Sequence, residues 1–209
     1  MFFNILVLVS GNGTNLQSLI DAEKKGTFGA DFKIAAVLSD RRDAYALERA
    51  RAAGIPAVFA GPDHSFPKDT QVITNRKLEL SNYILRLCKE KQINLIVFAG
   101  FLSILEGEII KEYEGKMINL HPALLPKFGG RGMYGEHVHK AVLEAGETES
   151  GCTVHLVDGG TDTGQIILQR RVHILATDSP ESLAQRIHNE EHIAIVEAVQ
   201  IMIERLQII

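Results

Sequence analysis

The 209-residue chain contains no tryptophan, two cysteines, six prolines and only 6% aromatic residues. Cys88 and Cys152 lie far apart and outside any CxxC or metal-type spacing. That excludes a disulfide framework and a cysteine-based zinc site, and it points to two reduced, buried thiols. No stretch reaches the roughly 18 consecutive apolar residues that a membrane-spanning helix requires. The apolar start (residues 1–9) has no basic n-region and runs straight into Gly11-Asn12-Gly13. It reads as a buried first strand and not as a signal peptide. A basic excess is also missing: 22 Lys and Arg against 26 Asp and Glu leave a net charge of −4. This argues against a protein built around nucleic-acid backbone contacts. An anionic small molecule must then be held by local donors rather than by a global field. The expectation is a cytoplasmic protein with small-molecule partners, no nucleic acid and no membrane, present as a monomer or weak homodimer.

What is there is a composition suited to a globular core, with 45% hydrophobic and 23% charged residues. Short aliphatic runs at 3–9, 32–38 and 95–98 alternate with helical patterns at 15–25, 44–53 and 70–91. Continuous apolar runs suit strands covered on both faces of a parallel sheet, and their alternation with helices marks βαβ units. Further on, 116–120, 151–157 and 165–173 read as strands and 136–145 as a helix. Ser179-Pro180-Glu181 opens a long last helix, with Ser179 as N-cap and Pro180 at its first position. The fold class is therefore α/β: an open, mostly parallel Rossmann-like sheet with helices on both faces. No repeat, linker or low-complexity stretch marks a boundary, so residues 1–209 form a single expected domain.

Three constellations carry chemistry. Ser10-Gly11-Asn12-Gly13-Thr14-Asn15-Leu16 follows the first strand, where backbone N–H groups at a helix N-terminus favour phosphate. Leu16 stands where the dinucleotide fingerprint requires glycine, and no Walker lysine follows. A monophosphate cradle competes here with a turn that serves only the fold. Asn119 and His121 alternate on one strand and project to the same face. An amide donor beside an imidazole suits acyl transfer, and ordinary loop hydrogen bonding is the alternative. In the turn 158–164, Asp162 lies among small residues; it either caps its own turn or orients His121 and raises the imidazole's pKa.

The last helix carries His188-Asn189-Glu190-Glu191-His192, which matches a zinc-peptidase pattern but has no third ligand candidate. Glu191 falls on the stripe of Leu183, Ile187, Ala194 and Ala198 and so faces inward, either as an ion pair or as a ligand contact. His137 and His139 cannot share a helix face, and His64, His155 and His173 read as surface or sheet residues.

Together with Ala99-Gly100-Phe101-Leu102-Ser103-Ile104-Leu105, Asn119-Leu120-His121-Pro122-Ala123-Leu124-Leu125-Pro126 and Asp162-Thr163-Gly164, the glycine loop closely resembles one family over about residues 3–206. This is the phosphoribosylglycinamide formyltransferase (glycinamide ribonucleotide transformylase) family of the formyltetrahydrofolate-dependent superfamily. The resemblance implies a single formyltransferase-type domain that moves a formyl group from 10-formyltetrahydrofolate, as co-substrate, to a glycinamide amine in purine synthesis, without a metal. It implies that Gly11, Asn12, Gly13, Thr14 and Asn15 cradle the nucleotide phosphate and that Glu191 meets its glycinamide end. Arg76, Leu102, Ser103, Ile104 and Leu105 would bind folate, with Asn119, Gly160 and Thr161 beside its ring. Asn119 and His121 would hold the developing oxyanion, His121 as acid, with Asp162 raising its pKa. Ser103 stands where many members carry Arg, and His188 where others carry Lys or Gln.

Two other readings stay open. A formyltetrahydrofolate deformylase sends water to the same carbon, and a non-catalytic folate or nucleotide module would share the fold.

Overall fold

A computed structural model describes residues 2–61 and 70–207. The protein is an α/β fold with seven strands in an open, mostly parallel sheet. The chain divides into two compact units, Met1–Met117 and Ile118–Ile209.

In the first unit, β1 (Phe3–Val9), α1 (Thr14–Lys24), β2 (Phe32–Ser39), α2 (Tyr45–Ala52), β3 (Ala57–Phe59), α3 (Thr70–Glu90), β4 (Ile93–Phe98) and α4 (Glu108–Glu112) follow one another. The parallel strands lie in the order β3-β2-β1-β4. Ile5 to Val9 on β1 and Leu95 to Val97 on β4 are fully buried, as expected for strands covered on both faces. Leu16, Leu19 and Ile20 of α1 are buried at helical spacing. The elements missed by periodicity, β3 and α4, are three and five residues long, too short to show a period.

The chain moves outward from β1 through β2 to β3 and then crosses to β4 on the other side of β1. The loops after β1 and β4 therefore leave at a topological switch point, where α/β sheets bind ligands.

The second unit holds the end of β5 (Met117–His121), then α5 (Glu136–Glu144), β6 (Glu149–Leu156), β7 (Ile166–His173) and α6 (Pro180–Gln207). Its strands pair antiparallel, β5 with β6 and β6 with β7. The start of α6 behaves as its sequence predicts. Ser179 Oγ accepts the Ser182 N–H at 3.2 Å and Ser182 Oγ accepts the Ser179 N–H at 3.0 Å, a reciprocal cap. Leu183, Ile187, Glu191, Ala194 and Ala198 are all buried along one stripe of this helix. His139 is buried and His137 exposed, so the two do fall on different faces. His64 lies outside the described residues.

Candidate active site

At the switch point of the first unit, two loops are tied together. Ser10 N–H donates to the Gly100 carbonyl at 3.0 Å, and its buried Oγ accepts the Leu102 N–H at 2.8 Å. Gly13 caps α1 at φ 73°, and a Cβ there would lie 2.5 Å from Ala46 Cβ, so only glycine fits. The N-cap residue, Gly13, brings no capping side chain, and the first turn of α1 contains no acidic residue. A helix start built in this way favours an anion.

Arg49 of α2 holds the loop from behind. Its Nε donates to the Asn12 carbonyl at 2.8 Å and its guanidinium to Asn12 Oδ1 at 3.1 Å and Gln17 Oε1 at 3.2 Å. Sequence reading did not single out this arginine, because the pairing joins residues in separate elements.

On the neighbouring loop Leu102 and Ile104 are exposed, whereas Leu105 is buried. Two exposed aliphatics leave apolar surface on the loop that Ser10 ties to the end of β1. Ser103 Oγ donates to Asp40 Oδ2 at 2.6 Å, so its hydroxyl is already engaged within the protein. Arg76 is half-buried on α3.

The second unit assembles Asn119, His121 and Asp162 and adds a fourth residue. The β5–β6 register sets Asn119 opposite His155 and His121 opposite Thr153. Buried His155 donates through Nδ1 to the Leu156 carbonyl at 2.8 Å, which leaves Nε2 as acceptor for the Asn119 amide at 3.1 Å. The same Asn119 nitrogen lies 3.4 Å from Asp162 Oδ1. Asp162 Oδ2 accepts the Gly130 N–H at 2.9 Å and lies 3.6 Å from His121 Nδ1. His121 Nε2 faces the Phe128 carbonyl at 2.8 Å. A carbonyl only accepts, so the neutral ring carries its hydrogen on Nε2 and turns a bare Nδ1 to Asp162. Phe128 and Asp162 both hold positive φ, 56° and 58°. For phenylalanine that conformation costs about 1–3 kcal/mol, and it aims the carbonyl at His121.

Packing adds to two of the sequence readings. Asp162 does act to raise the pKa of His121, but burial of the ring outweighs it, and the net shift is downward from 6.5. The imidazole is therefore neutral at pH 7, because desolvation penalises the charged form more than one carboxylate at 3.6 Å restores it. Burial also raises the Asp162 carboxyl, yet the two neighbouring imidazoles, His155 foremost, and the Gly130 N–H together hold it below 3.8. His155 is a sheet residue, on β6, and the packing makes it a buried partner of Asn119. Its alternation with Thr153 on β6 was visible, but the register that places it opposite Asn119 was not.

Glu191 has a partner within its own helix: His188 Nδ1 lies 2.7 Å from its Oε2. That hydrogen bond raises the pKa of His188. The turn 158–164 is braced by Asp158, whose Oδ1 accepts the Gly160 N–H at 2.9 Å and the Thr163 hydroxyl at 2.7 Å. Asp158 thus caps the turn and leaves Asp162 to face His121. Gly160 and Thr161 are exposed on this turn. Cys88 and Cys152 are free and buried, and burial pushes both thiols up to about 12.

A family model described as formyl transferase matches residues 3–199. The chain belongs to the formyl transferase family. It is 40% identical over 189 residues to a phosphoribosylglycinamide formyltransferase of Haemophilus influenzae, covering 90% of this chain and 81% of that protein. It is 43% identical over 198 residues to the trifunctional purine biosynthetic protein adenosine-3 of Drosophila pseudoobscura pseudoobscura, covering 95% of this chain but only 14% of the fly protein. Among solved structures, glycinamide ribonucleotide transformylase 1 from Symbiobacterium toebii superposes with a TM-score of 0.82 at 36% identity, over 95% of this chain and 86% of that one. This likeness bears out the α/β, formyltransferase-type sheet expected from the apolar pattern. Within the formyl transferase fold, chemistry-bearing residues converge, among the described residues, at the switch-point loops and in the Asn119–His121–Asp162 group.

Proposed function

We propose that this formyl transferase moves a formyl group from 10-formyltetrahydrofolate to the amine of 5-phosphoribosylglycinamide, a step of purine biosynthesis, in the cytoplasm. The observation that carries this reading is the joint placement of Asn119 Nδ2 and a bare His121 Nδ1 around Asp162. An amide donor for a developing oxyanion stands beside a neutral proton acceptor. The similarity to transformylases over nearly the whole chain supports the same substrates. Gly11, Asn12, Gly13, Thr14 and Asn15 fit the phosphate, since glycine stands at the N-cap of α1 and the first turn has no acidic residue. Leu102 and Ile104 fit the folate ring system, with Ser103, Leu105 and Arg76 as flanking residues. Asn119, Gly160 and Thr161 are further folate-binding residues in this proposal. Glu191, oriented by His188, meets the glycinamide end.

When bound, the folate supplies the formyl group and a nitrogen that leaves as an amine. The residues of the chain manage charge and protons. Asn119 donates to the formyl oxygen as negative charge builds there. Neutral His121 takes, at Nδ1, the proton released by the attacking amine, and ionised Asp162 stabilises the imidazolium that results. His121 then returns this proton to the leaving nitrogen, so no net proton is consumed. No step in this scheme requires a metal, and no group of His, Cys, Asp and Glu suited to one occurs among the described residues. Small molecules are the proposed partners, with a monomer or weak homodimer as the working form. No helix among the described residues is long and apolar enough to cross a membrane.

The test is formyl transfer from 10-formyltetrahydrofolate, followed by absorbance of the folate product, with and without the nucleotide. Turnover only with the nucleotide is expected. Equal folate release without it would make the protein a deformylase, and silence in both would leave a binding module. Arg49→Met is expected to raise KM for the nucleotide about tenfold, as loss of charged hydrogen bonds to Asn12 loosens the phosphate loop. Steady-state kinetics should find kcat and the folate KM within twofold of wild type.

A further inference from the structure

A row of side chains crosses three antiparallel strands of the second unit: His121 on β5 pairs with Thr153 on β6, and Thr153 pairs with Gln169 on β7. The Thr153 hydroxyl, fully buried, has one hydrogen and two acceptor sites, and all three are used. It donates to the Ala123 carbonyl at 2.6 Å and accepts the Leu125 N–H at 3.0 Å and Gln169 Nε2 at 2.9 Å. The same Gln169 nitrogen donates to the Leu125 carbonyl at 2.9 Å. Rotating the amide would set two oxygens against each other, so its orientation is determined. Leu125 is thus held at its N–H and at its carbonyl, three residues before Phe128, whose carbonyl takes the His121 Nε2 hydrogen.

We propose that Gln169 is a positioning residue for His121. Its amide fixes the segment from Leu125 to Phe128, which keeps the Phe128 carbonyl on Nε2 and leaves Nδ1 bare toward Asp162. The position requires two hydrogens on one nitrogen, aimed at two acceptors 2.9 Å away. Glutamate lacks the hydrogens, asparagine is one methylene short, and methionine matches the length without any donor. The inference rests on the formyl-transfer reading for its kinetic consequence but not for the tautomer.

The test uses the full chain with Gln169→Met and Gln169→Glu. Without substrate, nitrogen-detected NMR of the wild-type His121 ring is expected to report the single Nε2–H tautomer, and both variants a mixture. With substrates, kcat is expected to fall about tenfold in each variant, in line with a small misplacement of a reacting group. KM values should stay within twofold, and the acid limb of kcat/KM should move. A single Nε2–H tautomer and an unmoved acid limb in a folded variant would overturn the proposal, even if thermal stability dropped. If Gln169→Met does not fold, Gln169→Glu carries the same two readouts. Absence of formyl transfer in the wild type would overturn the functional reading alone, since the NMR result stands without substrate.

Discussion

Asp162→Asn is expected to lower kcat by about 10²–10⁴-fold, the range for losing effective acid–base assistance. Asparagine tolerates the positive φ of 58° found here, and its side-chain oxygen can still accept the Gly130 N–H, so the fold is retained. What is lost is the charge. His121 already sits below 6.5 because burial dominates, and Asp162 is the first of the groups that act to raise it. Without that carboxylate the imidazole falls further and accepts the amine's proton less readily. Activity that requires neutral His121 fails on the acid side, so the acid limb of kcat/KM moves to lower pH in the variant. The stability consequence has the same sign. A histidine with a depressed folded pKa opposes folding as pH falls below its unfolded value of about 6.5, until the folded pKa is passed. The Asp162→Asn protein therefore loses stability through a wider acid window than wild type, read as thermal midpoints at pH 7, 6 and 5. Asp162 itself, depressed below 3.8, contributes stability that is present above that value and lost as pH falls through its folded pKa. An acid limb that stays in place in the variant would remove Asp162 from any role in tuning His121.

Asn119→Ala is expected to reduce kcat about 10²–10³-fold, comparable with the removal of one oxyanion donor elsewhere. Its amide spans Asp162 Oδ1 at 3.4 Å and His155 Nε2 at 3.1 Å, and the longer contact is the one that gives way to a developing oxyanion. Because Asn119 acts on charge that appears during reaction, KM for both substrates should change little. Asn119→Asp is a sharper comparison, since it sets a second carboxylate against Asp162 and raises the pKa of one of them. A kcat for Asn119→Ala within threefold of wild type would exclude the oxyanion role.

Local periodicity alone determined much of this protein. Unbroken apolar runs marked β1, β2 and β4 because both faces of those strands are covered. Ser179-Pro180 located the start of α6, because an N-cap and a proline at the first position solve a strictly local hydrogen-bonding problem. Alternation on β5 put Asn119 and His121 on one face, and the 3.6-residue period put Glu191 on the buried stripe of α6. Tertiary structure decided what those residues meet. The register of β5 against β6 brought His155 to Asn119 and Thr153 to His121, and the next register brought Gln169 to Thr153. Register is a property of two strands and the chain between them, and neither strand's own pattern contains it. Ser103 turned to Asp40, and Arg49 reached back to Asn12, for the same non-local reason. The sign of the His121 shift depended on the competition between ring burial and one carboxylate, and burial exists only once the chain has packed around the ring.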